Sequence, residues 1–148
     1  MGTPISALTA ARLMCDRSTG TITNLELQKM LYLAQMFYLG QNNEPLFAGN
    51  FEAWDYGPVL PNVYHEVKAF GRGPISFVIG GGSVSDHKRE KMLTDAYDQL
   101  SQRTPGQLVN ITHWSKGAWA KHYRPGQKGV IIPNADIRQE YIDRLGAA

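Results

Sequence analysis

The segment from Thr23 to Gly40 constrains this chain more than any other. Leu27, Met30, Leu31, Ala34, Phe37 and Tyr38 recur at three- and four-residue steps, the pattern of one helical face, while Leu25, Tyr32, Leu33, Met36 and Leu39 place apolar groups around most of the remainder. A helix that is apolar nearly all round is stable only where other elements cover it, so residues 24–39 predict a central helix with the rest of the chain packed about it. Thr23 and Glu26 have the spacing of a capping box, in which each side chain satisfies a free backbone N–H of the first turn. At ~100° per residue, Asn24, Gln28 and Gln35 fall in one narrow polar seam. A buried amide left unpaired costs on the order of 1–3 kcal/mol, so these side chains either bond to the backbone of a neighbouring loop or touch a partner.

The chain has 148 residues, 43% of them apolar and 19% charged. That is enough to bury roughly two thirds of its extended surface in one core and too little for two full domains, so residues 1–148 are expected to form a single domain. Ile5, Leu8, Ala11, Arg12 and Cys15 predict a first helix over residues 5–16 with Cys15 on its inner side. Gly40 is expected to close the central helix. Residues 51–56 alternate as a strand, Gly57-Pro58 turns the chain, and a helix beginning at Pro61 carries Val63, Tyr64, Val67 and Phe70 before Gly71. Ile75 to Ile79 predicts a further short strand. Ser85 or Asp86 starts a helix with Met92, Leu93, Ala96, Tyr97 and Leu100 on one side. Thr104-Pro105-Gly106-Gln107 opens another, through Leu108, Ile111 and Thr112. A helical turn over residues 118–122, a strand over 129–132 and a last helix capped by Asn134 and carrying Ile137, Tyr141 and Leu145 complete the pattern. The expected fold class is α+β, predominantly helical, with about six helices packed round the central helix at residues 24–39 and a small antiparallel sheet.

Chemistry-bearing patterns are sparse. Cys15 is the one cysteine, which excludes an intramolecular disulfide and a multi-thiolate metal site, and its place on an amphipathic helix suits a small buried apolar group better than a nucleophile. His65, His87, His113 and His122 have no helical pairing with an intervening Glu, so no metal is expected. Gly80-Gly81-Gly82-Ser83 lacks the order of a phosphate loop and reads as a turn, and no G-x-S-x-G elbow occurs. No segment approaches the ~20 apolar residues that span a bilayer, and the N-terminus opens no basic-then-apolar leader, which makes the cytoplasm the expected location. The formal charge is only +2. It is unevenly placed: from Ser18 to Val67 one lysine faces five acids, whereas Gln99 to Ala135 holds Arg103, Lys116, Lys121, Arg124 and Lys128 and no acid. Opposed fields of this kind orient encounters with a charged protein. Trp114, Trp119 and Tyr123 interleave with those cations, so the alternative reading is a nucleic-acid-binding regulator using residues 103–128, although near-neutrality makes nucleic acid an unfavoured partner. An enzyme built on His113 is a further alternative.

Three stretches in order carry a resemblance: Leu27-Gln28-Lys29-Met30-Leu31-Tyr32-Leu33-Ala34-Gln35; Phe51 to Tyr64, containing Ala53-Trp54-Asp55-Tyr56-Gly57-Pro58-Val59; and Leu108 to His113 followed by Trp119. They resemble the Panacea domain, also called the SocA-like or phage-associated GepA-like domain, over about Ile5 to Leu145. One departure is Ala118, where the family usually has a proline before the tryptophan. The resemblance implies an antitoxin that binds a cognate toxin directly, with no enzyme activity and no cofactor. One family member is a proteolytic adaptor delivering its toxin to ClpXP, so that protease is a further expected partner. The candidate partner-binding residues are Gln28, Lys29, Tyr32, Gln35, Trp54, Tyr56, Gly57, Pro58, Val59, Tyr64, His113 and Trp119; no catalytic or metal residue is assigned. Chemistry adds a role to several. Gly57-Pro58 would force a turn. Trp54 and Tyr64 serve as core plugs or interface anchors. Lys29 needs a solvent outlet or a carboxylate, for which Asp55 and Glu52 are the nearest candidates, and His113 is expected to bond a neighbouring backbone group.

Overall fold

A computed structural model describes residues 2–78 and 80–147. Its helices are α1 (Ala7–Arg17), α2 (Asn24–Asn42), α3 (Pro61–Val67, continued by a 3-10 turn Lys68–Phe70), α4 (His87–Leu100), α5 (Pro105–Thr112), α6 (Ala118–His122) and α7 (Asn134–Ala147); its strands are β1 (Phe51–Trp54), β2 (Gly57–Val59) and β3 (Ile131–Ile132). The sheet is antiparallel in the order β2-β1-β3, with Trp54 opposite Gly57 and Glu52 opposite both Val59 and Ile131. The fold is thus predominantly helical α+β, as the periodicity predicts.

α2 is the centre. Thirteen of its nineteen residues are buried, and both halves of the Thr23–Glu26 capping box form. α7, α4, α5, α1 and β2 all pack against it. Gly40 does not end it: the helix runs on to Asn42 and stops where Asn43 turns left-handed at φ 56°. Gly40 instead is the notch into which the Tyr141 ring of α7 fits, because a Cβ there would stand inside that ring.

The polar seam of α2 does what buried amides must. Gln35 Oε1 accepts from the backbone N–H of Leu46 (2.7 Å) and Phe47 (3.3 Å), and its Nε2 donates to the Phe47 carbonyl (2.9 Å). Gln28 Oε1 accepts from Leu60 N–H at 2.8 Å, while its Nε2 reaches Asn24 Oδ1 at 3.4 Å. These bonds fasten the chain just before β1 and just after β2, so the hairpin is hung on α2 by side chains whose own satisfaction requires it.

Four further sequence expectations are corrected. The chain turns at Asp55-Tyr56, and Gly57-Pro58 lie within β2; a proline is tolerated there because β2 is an edge strand and needs no outward N–H. Ile75 to Val78 form no strand: Thr23 bridges Pro74 and Ile75 N–H donates to the Ile22 carbonyl at 2.8 Å, and burial at Ile75 and Val78 follows a three-residue step rather than strand alternation. Ile79, the end of that expected strand, lies outside the described residues. Asn134 is the first residue of α7 rather than its cap; the Pro133 carbonyl accepts from Asp136 and Ile137. The first helix begins at Ala7 behind a Ser6 cap, leaving Ile5 to bridge Phe47.

Candidate functional site

The family-like motifs converge on the β1–β2 hairpin and what lies beneath it. Phe51 and Ala53 point into the core and Glu52 and Trp54 point out, as strand alternation requires. Trp54 meets Tyr64 of α3 edge to face, with centroids 4.9 Å apart, and Lys128 Nζ lies 4.5 Å over its ring. Tyr56, at the tip, is 76% exposed, and Ile131 beside Glu52 is 50% exposed. The outer surface of this small sheet therefore presents large amphipathic and apolar groups to solvent.

The hairpin is strapped to the segment that follows α6. Tyr123 Oη donates to Asp55 Oδ1 at 2.7 Å, and Gly126 N–H donates to the same oxygen at 3.2 Å. Those donors hold the Asp55 carboxyl below its ordinary range, the Tyr123 hydroxyl contributing most. Glu52 accepts from Trp54 Nε1 (2.9 Å) and from Gly129 N–H (3.0 Å). Trp119 donates from Nε1 to the Trp54 carbonyl at 2.8 Å and is sandwiched between His113 (3.9 Å, 3°) and Tyr123 (4.5 Å, 18°).

Lys29 sits under this hairpin, 1% exposed, and donates from Nζ to the Pro58 carbonyl at 3.1 Å. The carboxylates expected for it, Asp55 and Glu52, are engaged elsewhere, and among the described residues no acidic oxygen lies within 4.0 Å of the amine. Burial without a counter-charge disfavours the ammonium and pushes its pKa down to about 7. His113 Nε2 is also buried without a partner at full hydrogen-bond geometry, and the backbone group that the ring lies against is that of Tyr56. Burial lowers the His113 pKa, the Tyr56 backbone opposes the shift, and the Lys29 charge lowers it further. Gly57 closes the space between them at φ 119°: a Cβ on it would lie 2.9 Å from Lys29 Nζ and 3.3 Å from His113 Nε2. Only glycine fits that backbone and that gap.

Of the twelve candidate residues, then, the structure gathers Lys29, Trp54, Tyr56, Gly57, Pro58, Tyr64, His113 and Trp119 into one region. Gln28, Gln35 and Tyr32 lie within the core and contribute no surface, while Val59 is buried on β2. Tyr32 donates from Oη to Glu140 Oε1 at 2.7 Å, and its pKa is raised well above the ordinary value, by burial first and Glu140 next. Sequence reasoning missed Glu140, which is 1% exposed and also accepts from Ala118 N–H at 2.9 Å and from Arg144. Its signal was its position three residues after Ile137, on the same inward face of α7. Also missed was Tyr123 as the strap on Asp55.

Elsewhere, Cys15 is buried and its thiol is pushed up to about 12, by burial first and Asp16 second, so it stays protonated. Three of the five cations of residues 103–128 are engaged: Lys121 with Asp136 (3.3 Å), Arg124 with the Tyr123 carbonyl (2.7 Å), Lys128 on Trp54. Both faces of Trp119 are covered by rings, so no base can stack on it, and Arg144 lies 4.8 Å over Trp114. No helix among the described residues is long and apolar enough to cross a membrane.

A family profile described as "Antitoxin SocA-like, Panacea domain" matches residues 27–120, an interval that holds Lys29, the whole hairpin, His113 and Trp119. Over 129 residues the chain is 30% identical to a protein named Antitoxin SocA from Caulobacter vibrioides (strain NA1000 / CB15N), covering 78% of this chain and 69% of that one. No solved structure matches the chain.

Proposed function

Because the chain belongs to the SocA-like antitoxin family defined by the Panacea domain, we propose that it neutralises a cognate toxin by binding it directly, through the face carrying Trp54, Tyr56 and Tyr64. One observation carries this choice of face: within the matched interval most of α2 is buried, and the large family-motif side chains that reach solvent cluster on the hairpin. Aromatic rings with a polar atom at one end are the side chains that dominate protein interfaces, since they bury much area at little cost in rotamer entropy. The hairpin is also held from behind by Gln28, Lys29 and Gln35 and from the side by Asp55, so it is preorganised rather than loose. In this reading the protein works in the cytoplasm, where the toxin is made.

The test is co-expression with the product of the adjacent gene. Rescue of growth and co-purification as a stoichiometric complex are expected, and neither occurring would remove the reading. Following toxin abundance with and without ClpXP separates the two modes of neutralisation: steady toxin with restored growth means binding alone, and ClpXP-dependent loss means delivery to the protease.

A further inference from the structure

Where α2, α4, α5 and α7 meet, the surface opens into a groove of about 250 Å³. Leu33, Met36 and Leu100 close its floor, and the half-buried Phe37 and Ile111 stand beside them. Two guanidiniums border the same space. Arg144 is fixed and neutralised: it pairs with the buried Glu140 at 2.6 Å and donates to the Ile111 carbonyl at 2.6 Å. Arg103, in the turn after α4, is in no ion pair among the described residues. No acid lines the groove among those residues. Asp98, next in the chain to the groove residue Gln99, is turned to Arg17 of α1 through two bonds of 2.7 Å. An apolar interior is thus combined with one uncompensated positive charge at its edge.

Size selects the class of occupant. Small-molecule sites typically hold about 300–1,000 Å³, more than this groove offers, whereas one large side chain fills much of it. Water over an apolar floor has few polar partners, so a side chain that displaces it is favoured. Charge selects the company that side chain keeps: a carboxylate beside it meets Arg103, and a cation there is repelled. The groove also lies close to the hairpin along the chain. Ile111 borders it, and His113, two residues on, stands against Gly57.

Resting on the antitoxin reading above, we propose that this groove is a second anchor point for the toxin, receiving one bulky apolar side chain from an acidic segment whose Asp or Glu pairs with Arg103. An apolar residue and an acid three or four positions apart on one helix face present that pair together. Arg144, held by Glu140, shapes the wall; Arg103 supplies the charge.

The experiment titrates the full chain with the adjacent-gene toxin at low and high salt. Arg103→Glu alters an exposed side chain, so its fold is kept, and it is expected to bind about three- to tenfold more weakly at low salt, with the gap narrowing as salt rises. Ile111→Trp, which fills the groove while staying apolar, is expected to bind at least about tenfold more weakly at either salt. A photocrosslinking residue in place of Arg103 is expected to capture a toxin peptide that carries an acid within one helical turn of a large apolar residue, and reversing that acid to Arg is expected to restore binding to Arg103→Glu. Wild-type affinity in Arg103→Glu at low salt, or a captured peptide with no acid, overturns the inference while leaving the antitoxin reading intact. A self-associated chain that Ile111→Trp converts to monomer without loss of toxin affinity makes the occupant a second copy and overturns it as well. No complex with the wild type at all removes both readings. Arg103→Glu and the crosslink decide the matter should Ile111→Trp fail to fold.

Discussion

Lys29 was legible as an anomaly, a cation in a helix apolar nearly all round, but its partner was not, because sequence neighbours on a strand do not say which oxygen turns inward. The carbonyl of Pro58 took the place expected of Asp55 or Glu52. The consequence is a stability that depends on pH in an unusual direction. In the unfolded chain the amine titrates near about 10.4, and in the fold at about 7. Between these values the unfolded state holds a proton that the folded state has released, so stability rises with pH, by up to about 1.4 kcal/mol per unit; below the folded value both states hold the proton and the slope vanishes. Cys15 works the other way, since its raised pKa makes the unfolded thiolate the state favoured by alkali. Subtracting the urea-unfolding free energy of Lys29→Met from that of the wild type cancels such terms. The difference is expected to climb across about pH 7.5 to 9 in the wild type's favour; parallel profiles would show that the amine is not desolvated as described.

Elements were legible where local chemistry decides them. Capping boxes at Thr23 and Thr104 and the prolines at 61 and 105 mark helix starts that depend on nearby residues alone, and those starts agree. Glycines and prolines misled where tertiary packing, rather than the local chain, decides what they do. Gly40 is read locally as a stop, yet it is a contact surface, and Gly57-Pro58 is read as a turn, yet its glycine makes room for Lys29. The Gly40 contact can be measured. Alanine there gains about 1 kcal/mol of helix propensity but must displace the Tyr141 ring, and overpacking of that kind costs typically about 1–3 kcal/mol. Gly40→Ala is therefore expected to destabilise the protein, whereas the same substitution in a Tyr141→Ala background is expected to be neutral or stabilising. A thermal or urea double-mutant cycle with no coupling would mean that α2 and α7 do not meet at this point.

At the scale of the whole molecule, one central helix organises both the core and the site: the side chains that complete its hydrogen bonding are the same ones that fix the hairpin. Twelve residues that look alike as motif positions thus divide into a scaffold within and a surface without, a division that depends on which face of α2 meets the sheet and is invisible in a helix apolar all round. Gln35 and Tyr56 separate the two roles. Gln35→Met leaves the N–H groups of Leu46 and Phe47 and the carbonyl of Phe47 unpaired in a dry interior, and is expected to cost about 3 kcal/mol or more, at roughly 1–3 kcal/mol per buried orphan. Toxin neutralisation by this variant should fall only in step with its folded fraction and recover at lower temperature. Tyr56→Ala alters a side chain 76% exposed, so its Tm should stay close to that of the wild type, within about 0.5 kcal/mol of stability, while its affinity for the toxin drops at least about tenfold, as for an interface anchor. Folding by circular dichroism and binding by titration, taken on the same preparations, read both. A stable Gln35→Met protein that no longer neutralises would move the contact surface onto α2, and a Tyr56→Ala protein with full affinity would take it off the hairpin.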